Sequence, residues 1–129
     1  MVQQGEKRLL NEWLAEMHRR HLTMRNVRLG KAINQEEARM YSVMLRYADA
    51  VVVDNDTIYI IEAKLAPNAG AVGQLLQYGM LILETPEFSQ YRDRKIQLLL
   101  LSAKQSGDVA EMCARNGIRF VYYPRDWLL

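Results

Sequence analysis

Cysteine is all but missing from this sequence: among 129 residues there is one, Cys113. A lone thiol forms no internal disulfide, excludes a zinc site built from several thiolates, and agrees with a reducing compartment. Its plainest role is that of a small buried hydrophobe. Long apolar runs are missing too. The longest, around Leu98 to Leu101, falls far short of the roughly 20 residues that cross a bilayer, and the N-terminus carries no apolar signal region. A cytoplasmic protein with no membrane partner is the expectation. No internal repeat, low-complexity tract or Pro/Gly/Ser-rich linker divides the chain, so residues 1–129 are read as a single domain. Net charge is only +2, so charge as a whole says little about partners.

What is present fits a folded domain: 50% of residues are hydrophobic and 25% charged, enough of the first to build a core. The charge is unevenly placed. Lys7, Arg8, Arg19, Arg20, Arg25, Arg28 and Lys31 fall in the first quarter against Glu6, Glu12 and Glu16, and Arg39 and Arg46 continue the trend. A phosphate-binding edge has this bias, with Arg19, Arg20, Arg25, Arg28 and Lys31 as its nucleic-acid contacts. A solvated helix face followed by a charged strand edge gives the same pattern.

Leu9, Leu10, Trp13, Leu14 and Met17 recur at helical spacing and predict an amphipathic helix over residues 4–21. A short, basic strand follows over 24–29, then a polar loop over 30–38. Residues 48–53 and 57–64 read as strands around the turn-rich Asp54-Asn55-Asp56. After the break at Pro67, Asn68 and Gly70, an apolar helix is predicted over 71–84, stopped by Pro86. The continuously apolar 96–102 reads as a buried strand. A helix over 108–116, with Gly117 as its C-cap, and a last strand over 118–123, ended by Pro124, complete the chain. Early strands joined by hairpins and later ones by crossover helices predict an α/β fold, a central mixed sheet flanked by helices.

The hairpin carries the chemistry. With Asn55 and Asp56 as a two-residue loop, Val53 faces Ile58, and counting back sets Asp49 directly opposite Glu62. Opposed side chains in an antiparallel pair have Cβ atoms about 4.5–5.5 Å apart. Two carboxylates at that spacing repel, and apolar surroundings add to the cost unless a cation lies between them. A hard divalent ion fits, and magnesium is commonly held by one or two carboxylates plus substrate phosphate. Lys64 is two residues beyond Glu62, on the same face, where its ammonium can pair with the acids, orient a water or stabilise phosphate charge. The plainer alternative is an exposed polar stripe. Against it, Ile58 and Ile60 share the face of Glu62, and Val51 and Val53 that of Asp49, so the face is apolar toward the turn and charged at one end only.

Asp49, twelve intervening residues, then Glu62-Ala63-Lys64 resembles the PD-(D/E)XK nuclease superfamily, and the predicted αβββαβ order matches its restriction-endonuclease-like core over nearly the whole chain. Ala48 stands where the motif name has proline, a position that varies widely. The resemblance implies that Asp49 and Glu62 bind the metal, that the backbone carbonyl of Ala63 completes the shell, and that Lys64 assists the nucleophile. It implies Mg2+ as cofactor, with Mn2+ able to substitute, and DNA as substrate. Family members often add a glutamate on the first helix and a glutamine on the helix after the third strand. Glu6 and Gln74 fill those places best, with Tyr78 sharing the face of Gln74; Glu36 and Glu37 are alternatives to Glu6 on a loop hard to place. An ordinary first-turn acid, favoured by the helix dipole, is the other reading of Glu6, and a polar helix edge that of Gln74. Minimal members of the superfamily resemble Holliday-junction resolvases or phage and mobile-element nucleases; the former imply a homodimer.

The expected function is thus a divalent-metal-dependent DNA endonuclease, selective for DNA structure because no sequence-reading module accompanies the core. The alternatives are a non-catalytic nucleic-acid-binding or assembly subunit that keeps the fold, and an unrelated metal-dependent hydrolase. His18 and His21, beside Arg19 and Arg20, are expected to be solvated or to contact phosphate rather than to ligate metal. Trp127, Tyr122 and Tyr123 are expected in the core or at a subunit contact.

Overall fold

The computed structural model describes residues 4–19, 21–30 and 46–128. Arg20, Lys31, Glu36, Glu37 and Arg39, and the loop expected over 30–38 beyond Gly30, lie outside the described residues. Five strands form one sheet in the order β1-β2-β3-β4-β5: β1 (Leu22–Leu29), β2 (Arg46–Val53), β3 (Thr57–Lys64), β4 (Lys95–Ser102) and β5 (Ile118–Tyr122). The first three pair antiparallel, and β4 and β5 continue in parallel from β3. The sheet is therefore mixed, as the order of elements predicts.

Among the described residues three helices cover it: α1 (Gln4–Met17), α2 (Ala69–Leu81) and α3 (Gly107–Arg115). Strands β3, β4 and β5 are added in one direction, and crossovers of the usual right hand then put both intervening helices on one face. There α2 and α3 pack, Ala71, Val72, Leu75, Tyr78, Val109 and Cys113 meeting Val51, Ile58, Ile60 and Leu100. The opposite face belongs to α1, whose Leu9, Leu10, Trp13 and Leu14 lie against Ala50, Val52, Ile61, Ala63, Leu99 and Leu101. Successive residues of β3 thus feed two separate cores. Leu10→Ala is expected to destabilise the protein by about 2–5 kcal/mol, because the residue is sealed between helix and sheet. A urea melt measures this, and a loss under about 1 kcal/mol would show that α1 packs loosely.

Several boundaries differ from the sequence reading, each for a local reason. Helix α1 stops at Met17 rather than near residue 21: the His18 N–H still donates to the Leu14 carbonyl at 2.9 Å, and the His21 N–H then donates to the His18 carbonyl at 3.0 Å in a tight turn. The two histidines, expected to be solvated or to contact phosphate, are partly buried. Their Nδ1 atoms lie 2.9 Å apart, and the His18 ring is enclosed by Trp13 and Tyr59. His21 faces Asp54 at 3.7 Å across the hairpin end. Asn68, read as a chain breaker, caps α2 by accepting the Ala71 N–H at 2.8 Å, so this helix starts at Ala69. It gives way at Ile82 to a 3-10 turn, and a second, Pro86–Tyr91, fills the stretch before β4. Gly117 follows α3 in the left-handed conformation expected of a C-terminal glycine. A last 3-10 turn, Asp126–Leu128, folds back toward α1.

Candidate active site

The register β2–β3 is the one the two-residue loop demands. Val53 faces Ile58, Ala50 faces Ile61, and the Asp54 N–H donates to the Thr57 carbonyl at 2.9 Å. The regular ladder ends one step before the Asp49–Glu62 position. It also lapses on the other side of β2, where Arg25 and Val27 pair with Ala50 and Ala48 but Asn26 pairs with nothing. Asn26 has φ of 52°, the left-handed region that asparagine tolerates better than a branched residue. Both neighbouring strands thus loosen at Asp49. Its carboxylate enters the gap and Oδ2 accepts the N–H of Ala63 at 2.8 Å. Asn26→Val is expected to cost about 1–2 kcal/mol and Asn26→Gly little, which melts of the two variants would separate.

Glu62 sits on the α2 side of β3, beyond Ile58 and Ile60, and is only 4% exposed. Its Oε1 is buried without a hydrogen-bond partner among the described residues. Lys64, half-buried on the same side of the strand, holds Nζ 3.9 Å from Glu62 Oε2, a loose pair. Burial and the facing Asp49 push the Glu62 carboxyl up from its ordinary 4.5 to about 8, with Lys64 opposing the shift. Asp49 is raised as well, by burial first, while the Ala63 N–H and Lys64 pull it down and the charge of Glu6 pushes it up. Both shifts favour the protonated carboxyls, because burial and mutual repulsion penalise two charges at this spacing. A site built this way withholds one negative charge until a cation compensates it.

The donor set fits a hard divalent ion. Two carboxylates converge, one oxygen of Glu62 is buried with nothing to bond among the described residues, and Asp49 is anchored through Oδ2 so that Oδ1 can ligate. Ala63 contributes its N–H, which fixes Asp49. Among the described residues no group of three or more His, Cys, Asp and Glu side chains is placed to share an ion. Glu6, expected from the resemblance to support the site, lies with Oε2 3.4 Å from the Leu65 nitrogen, directly beyond Lys64, and its charge reaches Asp49. It closes the C-terminal end of β3 from the α1 side. The site lies outside the carboxyl end of a parallel strand, where open α/β sheets commonly place ligands.

The supporting residues divide. Gln74 is half-buried on α2, and no hydrogen bond joins it to Asp49, Glu62 or Lys64 among the described residues. Tyr78, expected to share the face of Gln74, is a core residue whose hydroxyl donates to the Tyr47 carbonyl at 3.1 Å. Arg25 and Arg28 lie opposite Ala50 and Tyr47, so they flank the level of Asp49 on the adjacent strand, both exposed. Arg19 lies at the far end of the sheet, in the turn before β1.

One polar cluster escaped sequence reasoning. Glu12 of α1 accepts from Arg8 Nε at 3.0 Å, Arg125 Nη1 at 3.1 Å and Trp127 Nε1 at 3.1 Å. The hydrogen bond from Trp127 leads those that hold the Glu12 carboxyl below its usual range. Arg8 and Glu12 were recognisable as an i,i+4 pair; nothing local announces partners more than 110 residues away. No family model matches the chain, and no curated protein matches it.

Proposed function

We propose that this protein is a divalent-metal-dependent deoxyribonuclease that hydrolyses phosphodiester bonds, with Asp49 and Glu62 as metal ligands and Lys64 beside the reacting phosphate. The observation that carries the reading is the buried Asp49–Glu62 pair: two converging carboxylates, one with a buried oxygen that has no hydrogen-bond partner among the described residues, suit a divalent cation, with an ammonium nearby. A bound Mg2+ or Mn2+ would supply Lewis acidity and lower the pKa of an attacking water. The chain's own groups do the rest. Ala63 fixes Asp49, Asp49 and Glu62 would hold the ion, and Lys64 offers a positive donor to phosphate or nucleophile.

DNA as substrate is supported by Arg25 and Arg28 flanking the level of the site, and by the exposed Lys7 and Arg8 on α1. The resemblance to the PD-(D/E)XK superfamily extends the proposal to a restriction-endonuclease-like core, to branched DNA as preferred substrate, and to a homodimer in the cytoplasm. A second reading, a binding subunit without catalysis, is favoured by Glu6 bonding Leu65 instead of completing the ligand set. Incubation with linear, single-stranded and four-way-junction DNA in Mg2+ or Mn2+ separates the two. Metal-dependent cleavage supports the nuclease; tight, salt-sensitive binding of intact DNA supports the second reading. Indifference to DNA in both assays overturns both.

A further inference from the structure

Along the outer face of α1 runs a cleft of about 610 Å³, lined by Gln4, Lys7, Arg8, Asn11, Glu12 and Trp127, well within the size range of ligand sites. One wall is aromatic: the Arg8 guanidinium lies over the Trp127 ring, 4.3 Å from its centre. The indole is fixed in place through its N–H to Glu12. Arg125, which donates to the same Glu12, covers the Tyr123 ring at 3.8 Å, and Arg25 closes the rim through its bond to Asn11 Oδ1 at 2.8 Å. Four cations, Lys7, Arg8, Arg25 and Arg125, thus surround two carboxylates. Glu12 is held by three donors and Glu16 accepts the Tyr123 hydroxyl; these bonds leave both carboxylates in place, and the four cations outnumber them.

We infer that this cleft holds a single strand of nucleic acid, its phosphates against Lys7, Arg8 and Arg25 and an unstacked base seated on the Arg8–Trp127 pair. The chemistry is that of a single-strand platform, a basic groove with an aromatic or guanidinium plane for a base. A protein partner fits less well. Its interface would need an apolar centre, and apart from Trp127 the named lining side chains are polar or charged. From Gln4 to Glu12 the helix spans roughly 12 Å at 1.5 Å per residue, room for about three stacked nucleotides at ~3.4 Å each. The cleft also has a direction. Its Gln4–Gly5 end adjoins Glu6, which accepts from the Leu65 N–H just after Lys64, so the cleft opens toward the end of β3 that carries the site. The inference rests on the nuclease reading for that substrate, DNA, and makes the cleft the exit path of a frayed or branched strand.

The test measures binding of a fluorescein-labelled twelve-nucleotide oligothymidylate to the full chain in chelator, where nothing is cut, and cleavage of the same strand in Mg2+ separately. Trp127→Ala and Arg8→Ala are expected to bind about 10- to 100-fold more weakly, the range for loss of one base stack, and Trp127→Phe within about threefold of the parent. An oligonucleotide with abasic positions is expected to bind the parent as weakly as the intact one binds Trp127→Ala, and Trp127→Ala no more weakly still. That non-additivity is something a merely structural tryptophan would not produce. Should Trp127→Ala fail to fold, the exposed Arg8 decides alone. Unchanged binding by both variants, additive abasic losses, or displacement by a polyglutamate peptide as effective as by unlabelled oligonucleotide would overturn the inference. Cleavage by the parent with Trp127-independent binding rejects the cleft and leaves the nuclease; Trp127-dependent binding without cleavage in Mg2+ or Mn2+ does the reverse.

Discussion

Glu62→Gln is expected to reduce metal-dependent DNA cleavage by at least about 10³-fold, at the upper end of what one electrostatic group in an active site supplies. The substitution is nearly isosteric, so the packing around a residue only 4% exposed survives. What disappears is the second negative charge, and with it the tight hold on a divalent ion. Lys64→Ala is expected to cost about 10²–10³-fold while leaving metal affinity largely intact, because Nζ is 3.9 Å from the carboxylate and contributes positive charge, not a ligand. Initial rates across a magnesium titration tell the two apart: the glutamine variant should need far more metal, the alanine variant should saturate normally at a lower rate. Undiminished cutting by either would remove the carboxylate site from the mechanism.

The same carboxyl should make the metal-free protein less stable as pH rises. Glu62 titrates near 8 in the fold against 4.5 ordinarily, so the folded state binds a proton that the unfolded chain has already released. The stabilisation is complete below about pH 4.5 and is lost as pH climbs through about 8, on the order of 5 kcal/mol across the window at 1.36 kcal/mol per unit. Asp49, raised as well, works in the same direction. In chelator, the urea midpoint of the parent should fall relative to that of Glu62→Gln between pH 5 and 9, and the glutamine variant should be the more stable at pH 9. Saturating Mg2+ should offset the fall, because an ion favours the ionised pair and its binding displaces the bound proton. Parallel pH curves for parent and variant would mean that Glu62 is not a buried, proton-holding acid.

Both expectations trace to one hairpin, and that hairpin was legible before any coordinate. Asn55 and Asp56 form the shortest favourable loop, the apolar residues of the two strands alternate, and the period of two leaves one register that buries them. Asp49 and Glu62 follow by counting, and observed pairing at Val53–Ile58 and Ala50–Ile61 keeps the count. The face of Glu62 and Lys64 was equally readable, since parity along a strand fixes it. The helices α2 and α3 announced themselves by periodicity and by glycine and proline at their ends, to within a few residues.

What failed to show had non-local causes. Nothing at residues 18–21 says that the chain turns there and tucks His18 between Trp13 and Tyr59, because the partner ring lies on a strand about forty residues on. Glu6 and Gln74 were placed by helical geometry alone; the angle at which a helix crosses the sheet decides whether such a side chain reaches the acids. In the structure Glu6 reaches the backbone of Leu65 and Gln74 bonds none of the three site residues among those described. The cluster on Glu12 needed the C-terminal turn to return to α1.

The sequence by itself determined the element order, the mixed sheet and the confrontation of Asp49 with Glu62, because each is written in short-range periodicity, turn chemistry and strand parity. Tertiary structure alone decided that β2 loosens around Asp49 so that its carboxylate takes the Ala63 N–H, that Glu62 keeps an oxygen unpartnered among the described residues, and that Arg8, Glu12 and Trp127 meet on α1. These depend on burial and on contacts between distant segments, and burial is a property of the packed layers, which no local pattern contains.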